Sequence, residues 1–426
     1  MNHRSYIPRV VDDELDSLLS QLPAVSVEGA KAVGKTRTAS RRAGTTYELD
    51  DPGQRQIVEA DPDLVREGEP PILIDEWQRV PATWDVVRRA VDAGAEPGSY
   101  LLTGSATPSE RPTHSGAGRV VSVRMRPLSL GERSSGSPDA SLQALLSGER
   151  PPLSGRADRA LTDYVDEIVQ SGFPGLQTYD GDPLRRQLDG YLHRIVDTDF
   201  QQLGRSVRNR EALRRWMTAF AAATATTASY ETIRDAATAG QGNKPARTTT
   251  RPYRETLEQL WIIDQVTAWQ PSRNYLSELG QAPKHHLADP ALAARLLGVG
   301  KGALLQAEDP GPPVPRDGTL LGHLFESLVT LSLRVYAEGL DARVRHLRTW
   351  RGRHEVDLIV ERADGRVLAV EVKLSDTVNG EDVADLHWLS EEIGDQLLDS
   401  VVVNTGPGCY RREDGIGVVP ASLLGP

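Results

Sequence analysis

Cysteine is almost absent from this chain. Cys409 stands alone in 426 residues, which excludes an internal disulfide and any multi-cysteine metal site and suits a reducing compartment. Aromatics are scarce at 5%, yet at this length and 38% hydrophobic content sizeable cores remain within reach, enough for about three domains. No apolar run approaches the roughly 18 residues that a membrane span requires. The N-terminal stretch Met1-Asn2-His3-Arg4-Ser5-Tyr6 lacks the apolar centre of a secretion signal. The expectation is a soluble, cytoplasmic protein with no membrane partner. Basic residues are outnumbered, and a net charge of -11 confines any nucleic-acid contact to a local patch.

What is present begins with Val25 to Thr36, VSVEGAKAVGKT, in which Gly29 to Thr36 spell G-x-x-x-x-G-K-T. In such a loop successive backbone N–H groups point inward at phosphate oxygens, a lysine reaches the outer phosphates and a Ser/Thr hydroxyl ligates Mg²⁺. The context agrees. Ala24–Val27 reads as a short buried strand, and Arg37–Arg42 can open a helix whose N-terminus faces the phosphates. Gly29, Ala32, Val33, Gly34, Lys35, Thr36 and Arg37 form the expected phosphate-binding set.

Further along, Pro70-Pro71-Ile72-Leu73-Ile74-Asp75-Glu76 is an apolar strand with two carboxylates at its C-terminal edge. Open α/β sheets bind ligands at that edge. Phosphoryl transfer needs an acid near Mg²⁺ and a second group that orients or deprotonates water. Asp75, with Thr36, suits the first role and Glu76 the second. A third strand, Ser99–Leu102, ends in Thr103-Gly104-Ser105-Ala106, whose hydroxyls either contact the γ-phosphate or attacking water, Ser105 foremost, or form a turn with no ligand. Arg119, ahead of Val120–Val123, is either a charge-stabilising finger, in its own subunit or in a neighbour's, or a surface residue before a strand.

The nucleotide-binding unit is expected over residues 1–135. The stretch 136–160, rich in Ser, Gly, Pro and Asp, reads as a linker. Over 161–290 helical patterns dominate. Glu211–Ala225, Tyr230–Ala237 and Thr248–Leu260 form three helices, followed by a strand at Trp261–Val266, the outline of a winged helix-turn-helix. Between Arg205 and Glu255 ten Lys/Arg face four Asp/Glu, a net of +6 in an acidic protein. Arg247, Arg251 and Arg254 either contact DNA phosphates and groove edges from the third helix or form a solvated face of a packing module.

Residues 291–426 carry a second constellation. A helix beginning near Leu321 holds Glu326. The strands Glu355–Val360 and Val367–Lys373 follow, joined by a turn with Asp364-Gly365 at its centre. Asp357 and Glu371 fall on adjacent strands, and Lys373 shares a face with Glu371 by the period-two alternation of strands. Two carboxylates on a metal and a lysine beside water suit metal-dependent phosphodiester hydrolysis, with Glu326 as a further carboxylate. The alternatives are a hairpin with ordinary surface charges and a nuclease-like fold without activity.

With these motifs together, the chain resembles the bacterial and archaeal AAA-type ATPases whose C-terminal half holds a winged helix and a restriction-endonuclease-like domain. The stretches that carry the resemblance are Tyr6-Ile7-Pro8-Arg9, GAKAVGKT, LIDEWQRVP (73–81), LLTGSA (101–106), RMRPLSLGE (124–132), SGFP (171–174), RHEVDLIV (353–360) and AVEVK (369–373). The loop interior Ala30-Lys31-Ala32-Val33 departs from the usage common in that family, at positions that contribute mainly backbone. The resemblance implies an α/β P-loop NTPase domain with a parallel sheet, a helical and winged-helix middle, and a C-terminal α/β restriction-endonuclease-like (PD-(D/E)XK) domain. It implies ATP hydrolysis at Gly29, Gly34, Lys35, Thr36, Asp75 and Glu76, and a nuclease-like core around Asp357, Glu371 and Lys373. The expected function is Mg²⁺-dependent ATP hydrolysis coupled to DNA or a protein partner. The alternatives are a nucleotide-gated binding switch with little turnover and a metal-dependent nuclease. The Tyr6–Arg9 segment is a candidate for holding the adenine.

Overall fold

The structure is a computed structural model that describes residues 6–105, 117–134, 138–205, 207, 209–238, 247–271, 281–305, 319–349 and 352–426, with the backbone alone at 247–249. The first unit runs α1 (Val11–Leu19), β1 (Ala24–Glu28), α2 (Lys35–Ser40), β2 (Thr45–Glu48), α3 (Pro52–Ala60), β3 (Ile72–Asp75), α4 (Ala82–Asp92), β4 (Tyr100–Gly104), β5 (Val121–Arg124) and α5 (Leu130–Arg133). Its strands form a five-stranded parallel sheet in the order β2-β3-β4-β1-β5. Strand alternation divides the sheet's residues between two cores. Val25, Val27, Leu73 and Leu101 face one; Ala24, Ile72, Ile74 and Leu102 face the other, against Trp77, Trp84 and Val87. Burial on both faces is what a parallel sheet needs, and each fully buried Leu, Ile or Val contributes about 1.5–3 kcal/mol.

The stretch expected to be a linker is ordered over its described residues. β6 (Ala140–Ser141), α6 (Leu142–Leu145) and β7 (Gly155–Arg156) lie in it, and Leu142 and Leu145 are buried. β6 pairs with a strand at the far C-terminus and β7 with the edge of the C-terminal sheet. These short strands are supported by long-range pairing that polar composition does not reveal.

The middle region is helical: α7 (Leu161–Gln170), α8 (Gly181–Arg194), a π-helical stretch Ile195–Asp199, α9 (Phe200–Gln202), α10 (Arg210–Ala222), α11 (Tyr230–Ala237), α12 (Arg247–Gln259), α13 (Pro290–Leu296) and α14 (Lys301–Leu305). The three helices expected over 211–260 are present. The expected strand at 261–266 is not; only the isolated bridges Ile263–Leu287 and Val266–Lys284 form there. Among the described residues the strand pair of a winged helix is therefore reduced to two bridges. The Trp261–Val266 pattern signals burial, since Ile262, Ile263 and Val266 are buried, rather than a ladder.

The last unit consists of α15 (Leu320–Glu338), β8 (Ala342–Arg348), β9 (Glu355–Arg362), β10 (Val367–Lys373), α16 (Ala384–Ile393), β11 (Leu397–Asn404), β12 (Gly408–Arg411), β13 (Gly417–Pro420) and β14 (Leu424–Gly425). Its sheet has seven strands in the order β7-β12-β13-β11-β10-β9-β8. α15 is mostly apolar and buried along nearly its whole length, and its few charged side chains, Glu326, Arg334 and Glu338, are met by ion pairs. One continuous core joins Val25 and Val27 of the first unit, Tyr164 and Trp216 of the middle and Phe325 and Val370 of the last. A buried ionic knot adds to it: Arg124, Arg126 and Arg334 all contact Asp264 at 2.9 Å. Burial would raise the Asp264 carboxyl, but the three guanidiniums hold it far below the usual carboxylate range. No helix among the described residues is long and apolar enough to cross a membrane.

Candidate nucleotide site

The Gly29–Thr36 loop leaves the C-terminal edge of β1 and enters α2. Gly29 has φ +155° and its Cα faces the Met125 carbonyl; a Cβ there would lie 2.1 Å from that oxygen. Gly34, at φ +102°, turns the chain into the helix. Ala32 is also left-handed, at φ 68°. The Lys35 side chain is buried and folds back so that Nζ donates to the Gly29 and Ala30 carbonyls, each at 2.9 Å. Burial pushes its ammonium down to about 8, against the pull of Glu76 and Asp75.

Asp75 and Glu76 end β3 beside this loop. Thr36 Oγ1 donates to Asp75 Oδ1 at 2.8 Å, and Thr103 Oγ1 donates to the same oxygen. Asp75 is buried, which raises its carboxyl above the ordinary range although both hydroxyls lower it. Glu76 has left-handed backbone angles, φ 56° and ψ 44°. For a non-glycine residue this costs of order 1–3 kcal/mol, and such strain is concentrated at functional sites. Its N–H donates to Thr103 Oγ1 at 3.1 Å, while its carboxylate accepts from Ser105 Oγ and Gln78 Nε2. The hydroxyls at the end of β4 thus orient the two acids.

A cleft of about 400 Å³ runs along the loop, lined by Tyr6, Arg9, Gly34, Lys35, Thr36 and Glu76 among others, with Ala32, Arg37 and Ser105 also on its wall. The structure therefore brings Ala32, Gly34, Lys35, Thr36, Arg37, Glu76 and Ser105 to one cavity, with Asp75 behind Thr36. Val33 is buried, its carbonyl accepting from Arg9. Oxygen donors Thr36 and Asp75, already in contact at the loop's foot, fit the ligand chemistry of Mg²⁺.

Arg119 is not brought there within the chain. β5 runs parallel to β1 with Val121 opposite Val25, so Arg119 precedes the N-terminal edge of the sheet, whereas the loop follows Glu28 at the opposite edge. Its Nε donates to Asp92 Oδ1 at 2.9 Å. The finger role in its own subunit has no geometric support, because a parallel strand's start and the loop-bearing edge lie at opposite ends of the sheet.

Several contributors carried no sequence signal as site residues. Pro174 and Gly175 close the cleft from the middle region. Buried Asp289 holds their turn, accepting from Ser171 Oγ at 3.1 Å and from Gly172 N. Lys31 in the loop reaches Asp199 at 2.6 Å, at the end of the π-helical stretch. The SGFP motif was the only local hint.

The second constellation also converges. Lys373 Nζ lies 3.4 Å from Glu371 Oε2, and Asp357 Oδ2 accepts from Val372 N at 3.0 Å. Lys284, from the middle region, is buried among them: Nζ lies 2.7 Å from Glu326 Oε1 and 3.2 Å from Asp357 Oδ1. Among the described residues no group of three or more His, Cys, Asp or Glu is arranged to hold a metal ion.

The basic island is largely neutralised. Arg210 and Arg214 contact Asp197, Arg215 contacts Glu211, Arg234 Asp235, Arg251 Glu255 and Arg254 Glu258. Arg208, Lys244 and the Arg247 side chain lie outside the described residues, as does Ala106.

Residues 21–134 match the family described as an AAA domain. Residues 161–302 and 321–424 match families described as domains of unknown function, DUF8612 and DUF4143. These matches identify neither a winged helix nor a restriction-endonuclease-like unit. The chain is 26% identical to an uncharacterised protein of Mycobacterium tuberculosis over 95% of its own length and 82% of that protein's, and equally to one of Mycobacterium bovis. Among solved structures, a Walker-type ATPase of Pyrococcus abyssi is similar at 16% identity and a TM-score of 0.39, covering 67% of this chain and 94% of that one. The ORC2 protein of Aeropyrum pernix is similar at 14% identity and a TM-score of 0.31, covering 72% and 98%. These scores are too low to bear on function. The AAA-domain match supports nucleotide binding and hydrolysis at the first unit.

Proposed function

We propose that the chain is a Mg²⁺-dependent ATPase whose turnover acts on a partner through the middle and C-terminal units. The carrying observation is the contact of Thr36 Oγ1 with Asp75 Oδ1 at 2.8 Å beside a cleft that Lys35 and Glu76 both line. Loop amides and Lys35 hold the triphosphate, and Thr36 and Asp75 are the residues that would hold Mg²⁺, which supplies charge neutralisation when bound. Glu76 orients the attacking water and accepts its proton, freed for this when Ser105 and Gln78 release its carboxylate. ATP binding and phosphate release by the purified full chain test this reading. Binding and turnover by the parent protein, both lost in Lys35→Ala, are expected; a variant indistinguishable from the parent overturns it.

A second reading, a nucleotide-gated DNA-binding switch, is supported by a cleft of about 440 Å³ between α10, α11 and α12. Trp216, Tyr230, Arg234, Arg251 and Arg254 line it, and the Arg254 guanidinium lies over the Tyr230 ring, 4.5 Å from its centroid, in a cation–π contact. ATP-dependent DNA binding that weakens with salt and in Arg251→Ala, with turnover unaffected by Glu76→Gln, is the outcome that favours this reading over the first.

A further inference from the structure

The carboxylates of the C-terminal unit already hold a cation. Lys284 Nζ lies 2.7 Å from Glu326 Oε1, 3.2 Å from Asp357 Oδ1 and 3.7 Å from Glu355 Oε1. The lysine is 1% exposed. An Mg²⁺ ligated directly by Glu326 and Asp357 at about 2.1 Å has to sit between their oxygens, in the volume that Nζ fills. Two further carboxylate oxygens are already engaged. Asp357 Oδ2 accepts from Val372 N at 3.0 Å, and Lys373 sits 3.4 Å from Glu371. Glu371 Oε1 is buried without a hydrogen-bond partner, the one atom here that a metal would ordinarily satisfy.

The electrostatics run the same way. Burial opposes the Lys284 charge, but Glu326, Asp357 and Glu355 outweigh it and hold the ammonium above the ordinary lysine value. Burial pushes Glu326 up to about 8, and burial with the neighbouring Asp357 raises Glu371 well above its usual range. Four carboxylates, those of Glu326, Glu355, Asp357 and Glu371, lie against the two ammonium groups of Lys284 and Lys373, so part of their charge is met from within the chain.

We propose that the Lys284 ammonium takes the place of a divalent metal in the C-terminal unit, bridging Glu326 and Asp357, so that these two and Glu371 hold no Mg²⁺. The D-x13-E-x-K spacing then marks a nuclease-like geometry closed by a lysine from the middle region. This inference is independent of the ATPase reading, because it concerns a different set of residues.

Iron-directed cleavage of the full chain tests it. Fe²⁺ with ascorbate and peroxide cuts backbone next to a bound metal, and mass spectrometry locates the cuts. The wild-type chain is expected to show none around residues 326, 357 and 371, whatever happens near residue 75. Cuts there in the wild type overturn the proposal. A Lys284→Met variant that melts cooperatively is expected to gain cuts near residue 357, since the carboxylates lose their internal partner. A folded variant that gains none also overturns the proposal. If that variant does not fold, the wild-type map decides alone.

Discussion

The Arg9 guanidinium donates through Nη1 to the Val33 carbonyl at 2.8 Å, clamping the interior of the phosphate loop from a residue 24 positions upstream. Its Nη2 donates to the Arg126 carbonyl at 2.7 Å and its Nε to Glu132 at 3.0 Å. Glu132 in turn closes the capping box of α5 with Ser129. One side chain thus joins the loop, the strand exit after β5 and the next helix. Arg9→Met leaves Glu132 a buried, uncompensated carboxylate, so a loss of about 3–5 kcal/mol is expected in denaturant unfolding. A loss within experimental error of zero refutes the clamp.

Glu76→Gln keeps the size of the side chain and one of its two accepting oxygens but removes its basicity. Turnover is expected to fall by about 10²–10⁴-fold while ATP binding persists, read by phosphate release and by equilibrium binding of a fluorescent ATP analogue. Unchanged turnover removes Glu76 from the chemistry.

Lys35 gives the site a pH signature. Burial lowers its ammonium to about 8 in the nucleotide-free chain, from 10.5. Triphosphate beside it favours the charged form, so between about pH 8 and 10 binding should take up a proton, and affinity should fall as pH rises through that window. Calorimetry of the parent chain in buffers of different ionisation enthalpy measures the uptake, and its absence in that window refutes the assignment to Lys35. The stability sign is the reverse of a paired lysine's. The folded chain binds fewer protons than the unfolded chain between about 8 and 10.5, so the Lys35 contribution to stability rises with pH across that range.

Asp289→Ala removes the acceptor from Ser171 Oγ and Gly172 N, both held at the turn that carries Pro174 and Gly175 to the cleft. Each buried donor left unsatisfied costs about 1–3 kcal/mol, so a lower melting temperature and weaker ATP binding are expected together. A melting loss with affinity unchanged shows that the turn does not serve the nucleotide.

Arg119→Ala should leave turnover unchanged in dilute protein, because its partner is Asp92 at the opposite edge of the sheet from the loop. Turnover assayed across a protein dilution series checks this. A defect that appears only at high protein concentration assigns Arg119 to a neighbouring subunit's site.

The local patterns were legible wherever function depends on residues close in sequence. Gly29, Gly34, Lys35 and Thr36 lie within one loop, and the apolar strand before Asp75 and Glu76 declares its burial and its acidic C-terminal edge. Tyr230–Ala237 begins and ends as a helix where its pattern says, with Ser229 as the cap. The elements of the 136–160 stretch were not legible, because its strands are two residues each and pair with strands near the C-terminus. For the basic island the charge count left two readings open, because it does not record which acids face which arginines.

By itself the amino-acid order determined the phosphate loop, its acidic partners and the period-two faces of the strands, since these follow from dihedral limits and side-chain alternation over a few residues. Tertiary structure alone decided that Arg119 sits far from the loop and that Asp289 braces the turn over the cleft. It alone decided, too, that Lys284 enters the carboxylate cluster, 73 positions from Asp357. Such contacts arise when separate elements bury their apolar faces against one another, and no local spacing records which polar groups that burial will bring face to face.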